Sequence, residues 1–137
     1  MIMMIAACSE TEGKKEIINA PGAPKAIGPY SQAVKFEEEI FVSGQLGIDP
    51  ATGTLQEGFE AQARQALQNV NVILQEGGFT MDDVVRCQVF LVDMNNYKLF
   101  NEIYKEFFTG DYPARAVVEV SELPAGGLVE VMAEARK

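Results

Sequence analysis

The order of patterns along the chain predicts an α+β domain with a single sheet of about six strands and two helices on one of its faces. Three observations carry that reading. Phe59, Ala63, Ala66, Leu67, Val70, Ile73 and Leu74 recur at helical spacing and stop at Gly77-Gly78, a glycine pair suited to ending a helix. Val84–Val92 is a dense β-branched and aromatic run, the pattern of a buried strand. Arg115–Val120 and Leu128–Ala135 are two further strand patterns, separated by Leu123-Pro124-Ala125-Gly126-Gly127.

The remaining elements follow from local signals. Lys15–Asn19 reads as a short strand that ends at the turn-rich Ala20-Pro21-Gly22-Ala23-Pro24. Ser31–Phe36 and Ile40–Gln45 read as a hairpin turning at Glu37-Glu38-Glu39. Leu46–Gly58 is a loop with Asp49-Pro50 and Thr52-Gly53 turn signals. Asp93 or Asn95 caps a second helix, with Tyr97, Phe100, Ile103, Tyr104 and Phe107 on its inner face and Gly110 beyond its end. Two helices cover one face of such a sheet, and apolar strands leave the other to be buried against further subunits, so homo-oligomerisation is expected.

The 137 residues are 47% hydrophobic and 23% charged, ordinary proportions for one domain. Histidine is absent, which removes Ser-His-Asp and Cys-His catalysis, imidazole acid–base chemistry and His-ligated metals. The two cysteines, Cys8 and Cys87, are too far apart for a CxxC redox pair or a zinc ribbon. A net charge of −9 with scattered basic residues disfavours nucleic acid and anionic membrane surfaces. At the amino end, Met1–Ala7 is apolar and Ile5-Ala6-Ala7-Cys8 is like a lipoprotein cleavage box. The run lacks a basic start and the length of an export signal, so residues 1–15 read as an extension, with a truncated signal remnant and an envelope lipoprotein anchored through Cys8 as the alternative. The domain proper then spans 16–137, with a cytoplasmic location expected.

Several polar residues stand where chemistry is feasible. Arg115 opens an apolar strand after Tyr112-Pro113-Ala114 and offers a planar fork for a carboxylate; an ion pair with one of the many acids is the competing reading. Glu130 is the one acid within Leu128–Met132, either solvent-facing by alternation or partly desolvated with a raised pKa. Tyr30 follows the Gly28-Pro29 turn as a hydrogen-bond donor or an interface plug. Ser43-Gly44 leaves a bare backbone for a ligand or marks a bulge. Asn101 lies between inner-face positions of the second helix, where a surface amide is the plainer reading. Cys87, between Val85 and Val89, reads as a buried inert thiol. No phosphate loop, nucleophile elbow or carboxylate metal cluster is present, so metal and cofactor are expected to be absent.

Four blocks resemble the RidA/YjgF family of reactive-intermediate deaminases: Ala26–Ala33 (AIGPYSQA), Phe41–Gln45 (FVSGQ), Ala61–Val70 (AQARQALQNV) and Pro113–Val120 (PARAVVEV). Leu123-Pro124 and Val129-Glu130-Val131 complete the pattern, which runs from about Glu16 to the carboxyl end. The resemblance implies a chorismate-mutase-like fold assembled as a homotrimer with sites between subunits. It implies cofactor-free hydrolytic deamination of 2-enamino and 2-imino acids, such as 2-aminoacrylate, to 2-keto acids and ammonia. Arg115 matches the residue that grips the substrate carboxylate and Glu130 the acid that activates water. Tyr30, Ser43, Gly44 and Asn101 match pocket positions. Val117 stands where some relatives carry a cysteine, Met132 where many have a second acid, and Val131 where Ile or Met is commoner. A ligand-binding or chaperone-like trimer is the alternative from another class; endoribonuclease activity conflicts with the charge and the missing histidine.

Overall fold

The computed structural model describes residues 13–137, so the Met1–Ala7 run and Cys8 lie outside the described residues. The strands β1 (Lys15–Ile18), β2 (Ala33–Phe36) and β3 (Glu39–Leu46) form an antiparallel meander. Within the stretch expected to be loop, β4 (Ile48–Asp49) and β5 (Thr54–Leu55) pair as a small hairpin. Strands of two residues are too short for any periodicity to register. They are followed by α1 (Phe59–Glu76), β6 (Val84–Leu91), α2 (Tyr97–Tyr104), β7 (Ala114–Glu119) and β8 (Val129–Arg136).

The main sheet has six strands in the order β1-β2-β3-β8-β6-β7. Every neighbouring pair is antiparallel except β6 and β7, and a parallel pair needs a crossover, which α2 supplies. The expected α+β layout, six strands with two helices, is therefore what the chain adopts.

The helical period predicted from Phe59 onward is the core contact. Ala63, Ala66, Leu67, Val70, Ile73 and Leu74 are each 0% exposed and pack on the sheet. Gly78, at φ 84°, reverses the chain where a side chain would be strained, and Phe79 N–H closes the turn on the Leu74 carbonyl at 2.8 Å. Two amides share this buried stripe, a feature the apolar period cannot show. Asn69 Nδ2 donates to the carbonyls of Leu46 (3.1 Å) and Ile48 (2.9 Å). Gln62 Oε1 accepts from Leu128 N–H at 2.9 Å. These bonds fasten α1 to the end of β3 and to the approach to β8, the strands that carry Ser43, Gly44 and Glu130.

Strand register decides which face each residue occupies, because directly opposed residues point the same way. One row runs Ala33, Val42, Ala133, Cys87, Arg115 across β2, β3, β8, β6 and β7. Its first four members are at most 2% exposed beneath the helices, so Arg115 ends a buried row at the sheet edge. The opposite face carries Phe36, Phe41 and Val118 at 39%, 43% and 45% exposure, with Phe90, Met132 and Glu130 half-buried among them. The core neighbours expected for Cys87 need one correction. A register shift between Val84 and Arg86 turns Val84 inward and leaves Val85 51% exposed, so strict alternation back from Val89 fails.

Candidate active site

Arg115 reaches the helix side of the sheet where α2 crosses its edge. Tyr97, Phe100, Asn101 and Tyr104 follow i, i+3, i+4, i+7 spacing and so share the helix face that meets it. Arg115 Nη2 donates to Asn101 Oδ1 at 2.7 Å. The guanidinium lies 4.5 Å from the ring centre of Tyr104, 5.8 Å from Phe100 and 5.9 Å from Tyr97, within cation–π range of all three. Tyr97, expected on the inner face, is 41% exposed because it forms the rim of this cradle.

The chain has four arginines. Arg64 bonds Glu60 and Glu106, Arg86 bonds Glu134 at 2.5 Å, and Arg136 faces Glu39 at 3.9 Å. Arg115 has no carboxylate partner among the described residues, although the protein carries twenty acidic side chains. Among the described residues, the ion pair that composition favoured is not formed. A guanidinium has five N–H donors, and one is used by Asn101. Arg115 and Asn101 line a cavity of about 420 Å³ with Tyr104, Tyr112 and Pro113. Glu102 and Lys105, also on its wall, pair with each other at 2.5 Å.

The loop entering β7 is clasped from outside. Thr109 donates its N–H to Asp82 Oδ1 at 3.0 Å and its hydroxyl to the other carboxylate oxygen. These bonds, the hydroxyl foremost, hold the Asp82 carboxyl below the usual carboxylate range. A depressed folded-state pKa stabilises above the unfolded value, and that stability is lost as pH falls through the folded value. Asp82→Asn is therefore expected to lower the melting temperature at pH 7, with the gap from wild type closing on acidification below about pH 4, where the unfolded carboxyl also protonates. Melting curves at several pH values check this; a gap independent of pH would show that the clasp does not work through charge.

Glu130 occupies the other face. It lines a cavity of about 200 Å³ with Tyr30, Ser43, Gly44 and Leu46. The ladder between β3 and β8 is shifted between Val42 and Gln45, so Ser43-Gly44 forms an irregularity facing Glu130. A Cβ on Gly44 would fall on the Glu130 carboxylate, so glycine is required there by close approach. The Glu130 carboxyl makes no hydrogen bond among the described residues, and burial raises its pKa above the usual carboxylate value. Ser43 Oγ donates to the Ser31 carbonyl at 2.6 Å, so its free capacity toward a ligand is as an acceptor. The Tyr30 hydroxyl accepts from Ile27 N–H at 3.2 Å, which leaves its own proton available.

The expected site residues thus fall into two groups within one chain. Arg115 and Asn101 share one cavity; Tyr30, Ser43, Gly44 and Glu130 share another. Cys87 is opposite Arg115 and Phe90 is opposite Glu130, which puts the two on opposite faces, on strands two ladder spacings (about 10 Å) apart and offset by three residues along them. Val117 shares the face of Arg115 and packs against the core. Sequence reading placed Tyr104 in the core but missed its position under Arg115; its i, i+3 spacing from Asn101 was the available signal. Asp82 carried none, since its partner lies 27 residues away.

Fold and site together define a small α+β protein that holds, at a sheet edge, an arginine without a carboxylate partner among the described residues, and a desolvated glutamate on its uncovered face. The family described as Endoribonuclease L-PSP matches residues 20–137. The 2-iminobutanoate/2-iminopropanoate deaminase of Bos taurus is 47% identical over 120 residues, covering 87% of this chain and 88% of that protein. RidA from an Antarctic Psychrobacter species superposes with a TM-score of 0.88 at 42% identity, covering 89% of this chain and 99% of its own. TdcF of E. coli, solved with bound serine, gives 0.87 at 38% identity over 89% and 98% of the two chains. The chain belongs to the RidA/YjgF family.

Proposed function

We propose that the protein hydrolyses reactive 2-enamino and 2-imino acids such as 2-aminoacrylate to 2-keto acids and ammonia, without a cofactor. The observation that carries this reading is Arg115, an arginine without a carboxylate partner among the described residues of a protein of net charge −9, and open to a cavity. Such a group is matched to a carboxylate supplied by a ligand. The name of the bovine relative and the serine bound by TdcF support a ligand of amino-acid size.

In this scheme Arg115 takes the substrate carboxylate, which fixes the imine carbon one bond away and makes water addition an oriented step. Glu130, as the carboxylate, accepts a proton from water while the oxygen adds to the imine carbon. Glu130 passes that proton to the amino nitrogen of the resulting carbinolamine; the C–N bond then breaks, ammonia leaves, and the hydroxyl proton is lost to water as the C=O bond of the keto acid forms, with Glu130 again a carboxylate. Ser43 Oγ, an acceptor, suits the N–H of the iminium or the attacking water. Tyr30 suits a donor role on the same side.

One chain keeps Arg115 and Glu130 on opposite faces, so the scheme needs a second copy to bring one protomer's arginine to its neighbour's glutamate. The uncovered apolar face around Phe41, Phe90 and Val118 supports that assembly, and we take it to be a homotrimer in the cytoplasm. Among the described residues no helix is long and apolar enough to cross a membrane.

The test generates 2-aminoacrylate in situ with a pyridoxal-phosphate serine dehydratase and follows its decay and pyruvate release. Acceleration by the protein is expected. Co-refolded Arg115→Ala and Glu130→Gln chains are expected to recover about a quarter of wild-type activity, because random mixing rebuilds that share of shared sites. Decay at the buffer rate by folded protein would sink the deaminase reading and bring a binding role forward; absent complementation would sink the shared site.

A further inference from the structure

We infer that Tyr104 positions Arg115 for carboxylate capture, its ring serving in place of the counter-ion that other arginines of this chain have. This rests on the proposed role of Arg115 but concerns a residue that the scheme does not use. Tyr104 is 4% exposed and its ring centre is the nearest of three to the guanidinium, at 4.5 Å. It belongs to an aromatic ladder running through Phe100 (5.6 Å), Phe108 (4.7 Å) and, one step further, Tyr112. The ladder fixes the ring plane, and the loop clasped by Asp82 fixes the ladder's far end.

The electrostatics explain why an aromatic is needed here. A carboxylate partner would hold Arg115 but would also neutralise it and occupy the donors that a substrate requires. The negative face of a ring attracts the guanidinium while leaving its edge N–H groups free. Asn101 takes one of those groups and sets the rotation of the fork. Tyr104 therefore supplies attraction without competition, and Asn101 supplies orientation.

The hydroxyl of Tyr104 is not part of this device. It is buried with only the weakly hydrogen-bonding Cys87 thiol beside it and no N or O partner among the described residues, and desolvation raises its pKa well above the ordinary tyrosine value. A buried hydroxyl with so weak a partner costs stability, so a phenyl ring should do the positioning equally well.

The experiment uses full-length protein carrying Tyr104→Phe, Tyr104→Met, or pentafluorophenylalanine at position 104. The fluorinated ring keeps the shape and reverses the quadrupole, so it separates electrostatics from packing. Two readouts are taken: the Arg115 side-chain N–H resonance without ligand, and kcat and KM for 2-aminoacrylate. Tyr104→Phe keeps the ring face and is the reference against which both readouts of the other variants are compared. The fluorinated variant is expected to shift the Arg115 resonance toward solvent-like exchange and raise KM about fivefold to tenfold, with kcat less affected, the loss of about one cation–π contact. Tyr104→Met should behave like the fluorinated variant; if Met does not fold, the fluorinated ring still decides. A fluorinated protein matching Tyr104→Phe in both readouts would overturn the inference. An Arg115 resonance that responds to the ring while wild type shows no deaminase activity would instead overturn only the proposed reaction.

Discussion

Arg115→Ala is expected to reduce kcat/KM for 2-aminoacrylate by about 10²–10³ while the protein keeps its secondary structure and assembly. A bidentate carboxylate contact to a charged donor contributes about 3–4 kcal/mol, and each 1.4 kcal/mol is a factor of ten. The fold should tolerate the change because Arg115 lies at the edge strand, half-exposed, and its side chain hydrogen-bonds only Asn101 among the described residues. Its removal leaves the Asn101 amide facing a cavity of about 420 Å³, where water can satisfy it. Arg115→Lys should recover part of the loss, since an ammonium keeps the charge but not the planar fork. Decay assays beside circular dichroism and sedimentation check all three points. Unchanged turnover in a folded Arg115→Ala protein would remove the arginine from the reaction.

Glu130→Gln is expected to lower kcat by about 10²–10⁴, the usual contribution of a positioned general base, with a smaller effect on KM because the carboxylate anchor is elsewhere. The pH profile provides the sharper check. Burial raises the pKa of Glu130, and the base acts only when ionised. Wild-type kcat/KM should therefore rise with pH through that raised value and then level, a limb that Glu130→Gln should lack. Stability should move the other way. A group whose folded pKa lies above its unfolded value stabilises at low pH and loses that contribution as pH rises through the folded value. Once ionised, the buried and unbonded Glu130 carboxylate is thus a burden on the fold, and Glu130→Gln should gain on wild type in melting temperature as pH rises from the unfolded carboxyl range through the raised folded value. A variant that is both inactive and clearly less stable would indicate a structural carboxylate instead.

Much of the fold was legible because its signals are local. The Ala63–Leu74 spacing and the glycine pair after it announce α1, and the β-branched run announces β6, without reference to any distant residue. The β4–β5 hairpin and the bulge before Arg86 were not legible, since two-residue strands have no period and a bulge is a failure of period. The same distinction governs the site. Arg115, Glu130, Ser43-Gly44, Tyr30 and Asn101 could each be picked out by type and setting. Whether Arg115 had a counter-ion could not, because Glu60, Glu106, Glu134 and Glu39 are claimed by other arginines through contacts set by the fold.

By itself the sequence determined the α+β class, the order of elements, the chemistry available without histidine and the residues able to supply it, all properties of composition and short-range spacing. Only the tertiary structure decided that the arginine is cradled by one face of α2, that glycine at 44 makes room for Glu130, and that these two groups lie on opposite sides of the sheet. Strand pairing is the physical reason. A residue's face and neighbours follow from register between strands many residues apart, and a shift of one position would send each side chain to the other side.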